Sequence, residues 1–140
     1  MSAAKTFVDT NVLIYAFTSD EPEKQESALK ALDGCLPVVS TQVIREFSNI
    51  LLRKSNMAPQ DVKGLVIEII DIADILNEEP GYIFDAIDLH NRYGYSFYDS
   101  LIIAAALSSK CQALLSEDMQ SGQVIDSTLK ILNPFGKDTT

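Results

Sequence analysis

The sequence predicts an α/β protein: a three-layer α/β/α sandwich around a mainly parallel sheet of about four or five strands. Three observations carry that expectation. Apolar runs such as "KTFV", "LPVVS", "CQALLS" and "LKILNPF" are short enough to be strands and are bounded by polar residues. The segments between them show helical spacing of apolar residues, with capping residues at their starts. One segment, Leu101 to Leu107, is apolar nearly all round, as a helix buried in the middle of a fold would be.

In chain order, Lys5–Val8 reads as a first buried strand, with Asp9-Thr10-Asn11 as the turn and Val12–Phe17 as a short helix. The stretch "SDEPEKQESALKALDG" follows as a helix capped by Ser19 or Asp20, with Pro22 in its first turn and Gly34 as its stop. "LPVVS" is a second strand, after which Ser40 or Thr41 caps a helix reaching Lys54. "SNMAPQD" breaks that helix, and two more are expected over Asp61–Leu76 and Tyr82–Tyr93. The buried helix spans Phe97–Ser109. "CQALLS" and "LKILNPF" are then the third and fourth strands. No repeat, low-complexity tract or linker divides the chain, so residues 1–140 read as one domain.

Composition narrows the function classes. With 46 % hydrophobic residues the chain can bury a core without staples. No apolar run approaches the ~18 residues that cross a bilayer, and "MSAAKTFVD" carries no export signal. Cys35 and Cys111 are far apart and lack metal-type spacing, so the expectation is a cytoplasmic protein with free thiols. The net charge of −9 opposes the approach of a polyanion. Nucleic acid would bind only with the help of cations or a local basic cluster.

Four acids stand among core-forming residues instead of in charged surface runs: Asp9, Glu46, Asp99 and Asp118. Asp9 follows the first strand and Asp118 the third. In open parallel sheets, ligands bind beyond the carboxyl ends of the strands. Glu46 falls near Val43 and Ile50 at about 100° per residue, beside the apolar stripe of its helix. Asp99 lies in the first turn of the apolar helix, where the dipole favours an anion. Each has an ordinary structural reading as a cap, a turn residue or a boundary glutamate. Together they could converge on one pocket, where mutual repulsion would call for a cation. All-oxygen donors suit Mg²⁺ or Mn²⁺. The lone histidine, His90, reads as a helix-surface residue. No phosphate-binding glycine loop and no nucleophile elbow occur.

The blocks "FVDTNVLIYAF", "VSTQVIREFSNIL", "YSFYDSLIIAAAL", "LLSEDMQSG" and "ILNPF" stand in an order and spacing that resembles the PIN-domain family, and more narrowly its VapC-type ribonucleases. The likeness runs from Thr6 to Phe135. It implies that Asp9, Glu46, Asp99 and Asp118 are the family's acidic quartet, holding Mg²⁺ or Mn²⁺ for RNA hydrolysis. It matches Asn11 and Ser116 to polar positions that order the site. It also implies a homodimer and a small antitoxin whose C-terminal segment covers the acidic groove. Arg45, Arg53 and Lys54, on the helix of Glu46, and Lys110, after the helix of Asp99, are the expected positive rim for RNA.

Three other readings stay open on the residues alone. One keeps the nuclease but assigns it to RNA processing without an antitoxin. Another is an acidic receiver-like phosphotransfer domain with Asp9 as acceptor, which needs a lysine near the carboxylates at the end of a late strand. In the last, the acids only cap helices in a binding module.

Overall fold

A computed structural model of the chain describes residues 3–18, 20–54 and 56–136. Its strands are β1 (Ala4–Val8), β2 (Cys35–Ser40), β3 (Asp74–Leu76), β4 (Ala113–Leu115), β5 (Val124–Ile125) and β6 (Leu129–Leu132). Its helices are α1 (Thr10–Thr18), α2 (Pro22–Asp33), α3 (Thr41–Lys54), α4 (Pro59–Ile72), α5 (Pro80–Tyr93) and α6 (Phe97–Ser108).

The strands form one sheet in the order β3-β2-β1-β4-β6-β5. Every pairing is parallel except β5 with β6. Thr6, Phe7 and Val8 on β1, and Val38, Val39 and Ser40 on β2, are consecutive buried residues. Side chains alternate between the two faces of a strand, so both faces of the sheet are covered. α6 packs on β2 and β4 and against α5, while α1 packs on both α2 and α3, and α3 on α4. As the apolar run predicts, α6 is buried over Ser100 and Ile102–Ala106. The side chains of Phe7, Phe47, Ile102, Ile103, Leu114 and Ile131 are fully buried, each contributing on the order of 1.5–3 kcal/mol by leaving water.

The sheet has six strands against the expected four or five, and β3 and β5 are the two not among the expected segments. β3 lies at the end of an isoleucine-rich stretch that continues the helical spacing of α4, with no Gly or Pro to divide them. Its strand state comes from pairing with the edge of β2, Val38 beside Asp74 and Ser40 beside Leu76. The expected helix over Asp61–Leu76 therefore ends at Ile72. β5 has two residues and pairs back on β6 through a turn in which Asp126 and Ser127 take positive φ. Helix starts also shift: α5 begins at Pro80 and α2 at Pro22, which is preceded by Glu21 in extended conformation. The cap expected at Asp20 is therefore not used, and Ser19 lies outside the described residues.

The topology has a consequence for function. From β1 the chain crosses to β2 and then β3 on one side, and later returns to place β4 on the other side of β1. The strand order thus reverses between β1 and β4. Beyond the carboxyl ends of two such strands a crevice is left, where α/β sheets bind ligands. Asp9 lies at the end of β1 and Ser116-Glu117-Asp118 at the end of β4. A backbone bond from Asp9 N to Leu115 O, 2.9 Å, ties the two ends together.

Candidate metal-binding active site

Beyond those strand ends lies a cleft of about 340 Å³, lined by Asp9, Thr10, Asn11, Ile14, Tyr15, Glu46, Ile50, Asp99, Glu117 and Asp118. All four acids singled out from the sequence border it, each carried by a different element. A larger cavity of about 530 Å³, beside Lys30, Cys35 and Ala113, has no acid or histidine in its lining. The smaller cleft gathers five acids at the carboxyl ends of the strands, where α/β sheets bind ligands.

Asp9 is the deepest of the acids, 6 % exposed. Its Oδ1 accepts a 2.7 Å bond from Thr10 N and its Oδ2 a 2.8 Å bond from the Ser116 hydroxyl, which is fully buried. Burial pushes its pKa from 3.8 up to about 6; the bonds from Ser116 and Thr10 pull the other way, and Asp99 and Glu46 add to the rise. Asp9 thus caps only the nearest amide of α1, while its second oxygen is held from β4.

The other acids are arranged in the same manner. Thr10 donates its hydroxyl to Glu46 Oε1 at 3.3 Å, and Asn11 donates its amide to Asp118 Oδ2 at 2.7 Å. Ser96 caps α6 by accepting from Asp99 N at 3.1 Å. Burial, and then the neighbouring Asp118, raise the Asp99 carboxyl above its usual range. Glu46 is raised chiefly by burial and further by Asp99, against the bond from Thr10. The acids therefore feel one another across the cleft, and the bonds to Asp9, Glu46 and Asp118 from Thr10, Ser116 and Asn11 come from neutral groups.

Among the described residues, no three His, Cys, Asp or Glu side chains are drawn together enough to enclose an ion by themselves. The donor chemistry nevertheless fits Mg²⁺ or Mn²⁺. Mg²⁺ keeps several waters and is commonly held through one or two carboxylates, with no full protein cage.

The basic residues separate. Arg45 is bonded to Glu78 at 2.8 Å. Arg53 and Lys54 are exposed at the end of α3, and Arg53 follows Glu46 by seven residues, on the same helix face about 10 Å further along. Lys110 sits in the turn before β4, at the opposite end of that strand from the cleft, and so is not at its rim. The length of α6 separates it from Asp99, which stands in the first turn of that helix while Lys110 follows its end. His90 is exposed on α5 and bonded to Tyr95 O.

Sequence reasoning passed over Glu117, a fifth acid of the cleft. Its Oε2 lies 2.6 Å from Lys24 Nζ and its Oε1 accepts from the Tyr15 hydroxyl at 3.1 Å. Glu117 next to Asp118 looks like ordinary loop charge, and Lys24 lies among the charged residues of α2, far away in sequence. Nothing in the local pattern links them.

The PIN domain family model matches residues 6–123, and the chain belongs to that family. No curated protein sequence matches it. Among solved structures it is similar to a toxin–antitoxin complex from Klebsiella pneumoniae, with 17 % identity and a TM-score of 0.70 over 92 % of this chain and 97 % of that one. It is also similar to FitAcB from Neisseria gonorrhoeae, with 18 % identity and a TM-score of 0.67 over 93 % of this chain and 98 % of that one. VapC20 from Mycobacterium tuberculosis, described as a sarcin-ricin loop cleaving toxin, matches with 16 % identity and a TM-score of 0.64 over 78 % of this chain and 86 % of that one. At such identities the likeness is one of fold. No helix among the described residues is long and apolar enough to cross a membrane.

Proposed function

We propose that this chain is a metal-dependent endoribonuclease and the toxin of a VapBC-type toxin–antitoxin pair. The observation that carries the reading is the cleft at the reversal of strand order, where Asp9, Glu46, Asp99 and Asp118 face one another. Family membership supports nuclease chemistry, and the toxin–antitoxin complexes of the same fold support the pairing.

Asp9, Glu46, Asp99 and Asp118 are the residues that would hold Mg²⁺ or Mn²⁺. When bound, such an ion lowers the pKa of a water and stabilises charge on the leaving oxygen. The chain's own contribution is positional. Ser116 and the Thr10 amide fix both oxygens of Asp9, Thr10 orients Glu46, and Asn11 orients Asp118. With the acids charged and uncompensated, the cleft repels a phosphodiester. Arg53 and Lys54 are the cations suited to hold an RNA strand at its edge through phosphate contacts.

An antitoxin side chain such as Arg would suit the acidic groove by charge and by bidentate bonding. For a homodimer, exposed apolar residues are available on α5 at Ile83, Phe84 and Ile87. The reading is tested by incubating RNA with the protein and Mg²⁺ or Mn²⁺, wild type against Asp9→Asn, and sequencing the products. Defined internal cuts that need both the ion and Asp9 support it. Equal cutting by the variant, or none by either, overturns it.

A further inference from the structure

Glu117 lines the same cleft as the four acids, yet it differs from them in having a cation. Lys24 Nζ lies 2.6 Å from Glu117 Oε2 and 3.1 Å from the Tyr15 hydroxyl, while that hydroxyl bonds Glu117 Oε1 at 3.1 Å. Both oxygens of Glu117 are therefore engaged. The ammonium also stands 4.4 Å from the Tyr15 ring centre and 5.4 Å from that of Phe135, and the two rings meet edge to face at 4.9 Å. The group joins α1, α2, the loop after β4 and the segment after β6. An isolated surface ion pair contributes little, but this one is fastened by two aromatic faces and a hydroxyl.

The next residue, Asp118, is bonded by Asn11 on the cleft side. Two adjacent acids of one short loop are thus held by different elements. Resting on the metal-site reading above, we propose that Lys24 is a positioning residue that withholds Glu117 from the metal, so that Asp118 alone of this loop serves the ion. Without Lys24, Glu117 becomes a fifth uncompensated carboxylate at the cleft. A unit positive charge lost from the neighbourhood of a divalent ion would tighten its binding, by about tenfold for charges on the order of 6 Å apart in a water-like dielectric. A carboxylate that enters the ion's shell also displaces water, the reagent that hydrolysis consumes.

The test uses Lys24→Met, which keeps the apolar stem, with Lys24→Arg, Glu117→Gln and the Lys24→Met/Glu117→Gln double variant. Mn²⁺ affinity is read by the EPR signal of free Mn²⁺, bound water by proton relaxation, and folding by thermal denaturation in EDTA. Lys24→Met is expected to bind Mn²⁺ about tenfold more tightly, with fewer exchangeable waters and slower RNA cleavage. The double variant should return affinity and water content to wild-type values, and Lys24→Arg should keep them. Loss of Mn²⁺ affinity in parallel with thermal stability would leave Lys24 a merely structural residue and overturn the proposal. So would unchanged affinity, or tightening that Glu117→Gln does not reverse. If wild type itself binds no Mn²⁺ sensitive to Asp9→Asn, the metal-site reading falls, and the inference falls with it.

Discussion

Replacing Asp9 by Asn should stabilise the protein in the absence of metal while abolishing its activity. Asp9 is buried, and its pKa stands at about 6 against an ordinary 3.8. The folded state therefore binds this proton more tightly than the unfolded chain does. Below about pH 4 both states are protonated, and the group makes no difference to stability. As pH rises from 4 through 6, the unfolded chain ionises first, and the folded state loses stability by up to about 1.4 kcal/mol per pH unit. Above pH 7 the loss is complete, at about 3 kcal/mol. Asparagine is neutral throughout and can keep both partners, accepting from Thr10 N and donating to the Ser116 hydroxyl. In EDTA at pH 7.5 the variant should melt higher than wild type by about 5–10 °C, with the gap closing as the pH approaches 4. Saturating Mn²⁺ should raise the melting temperature of wild type and narrow the gap from the other side. Thermal denaturation across that pH range, with and without the ion, measures all of this. A variant less stable than wild type at pH 7.5 in EDTA would refute the reasoning, as would a gap indifferent to pH.

Ser116→Ala removes the donor to Asp9 Oδ2 and should weaken Mn²⁺ binding about 10–100-fold, as loss of a supporting hydrogen bond does at metal sites; isothermal titration reads it. Carboxyls raised by burial at Glu46 and Asp99, and at Asp9 up to about 6, mean that Mn²⁺ would displace protons on binding. Affinity should accordingly climb with pH through the acid range and flatten above about 7, and titrations at several pH values check the rise. The Arg53→Ala/Lys54→Ala variant should bind RNA more weakly and lower the salt-dependence slope by about 1.4, with Mn²⁺ binding untouched; filter binding at several salt concentrations decides. Phe84, 69 % exposed, should lie within the self-association surface, so Phe84→Asp should lower the mass seen by light scattering from two chains to one.

Much of the fold and most of the cleft were legible in the residues. Short apolar runs separated by periodic, capped segments specify an alternating α/β chain wherever the local signal is strong, and α3, α6 and the strands β1, β2 and β4 follow it. The acids were legible because each interrupts apolar sequence: Asp9 at a strand end, Glu46 beside an apolar stripe, Asp99 at the start of a buried helix. Local pattern and burial coincide at such positions, so a charge there stands out. What the chain did not reveal depends on partners distant in sequence. β3 is a strand only because β2 offers an edge, and β5 only because β6 folds back on it. Lys110 is the exception: Asp99 stands in the first turn of α6 and Lys110 beyond its last, so the length of the helix alone sets them apart. Glu117 could not be told from loop charge until Lys24, Tyr15 and Phe135 were brought around it. The sequence by itself determined which residues prefer core, cap or turn, since those preferences arise within a few residues of each position. Only the tertiary structure decided which carboxylates share a cleft and which one has a counter-ion, because charge interactions depend on distance through space and burial, neither of which is set locally.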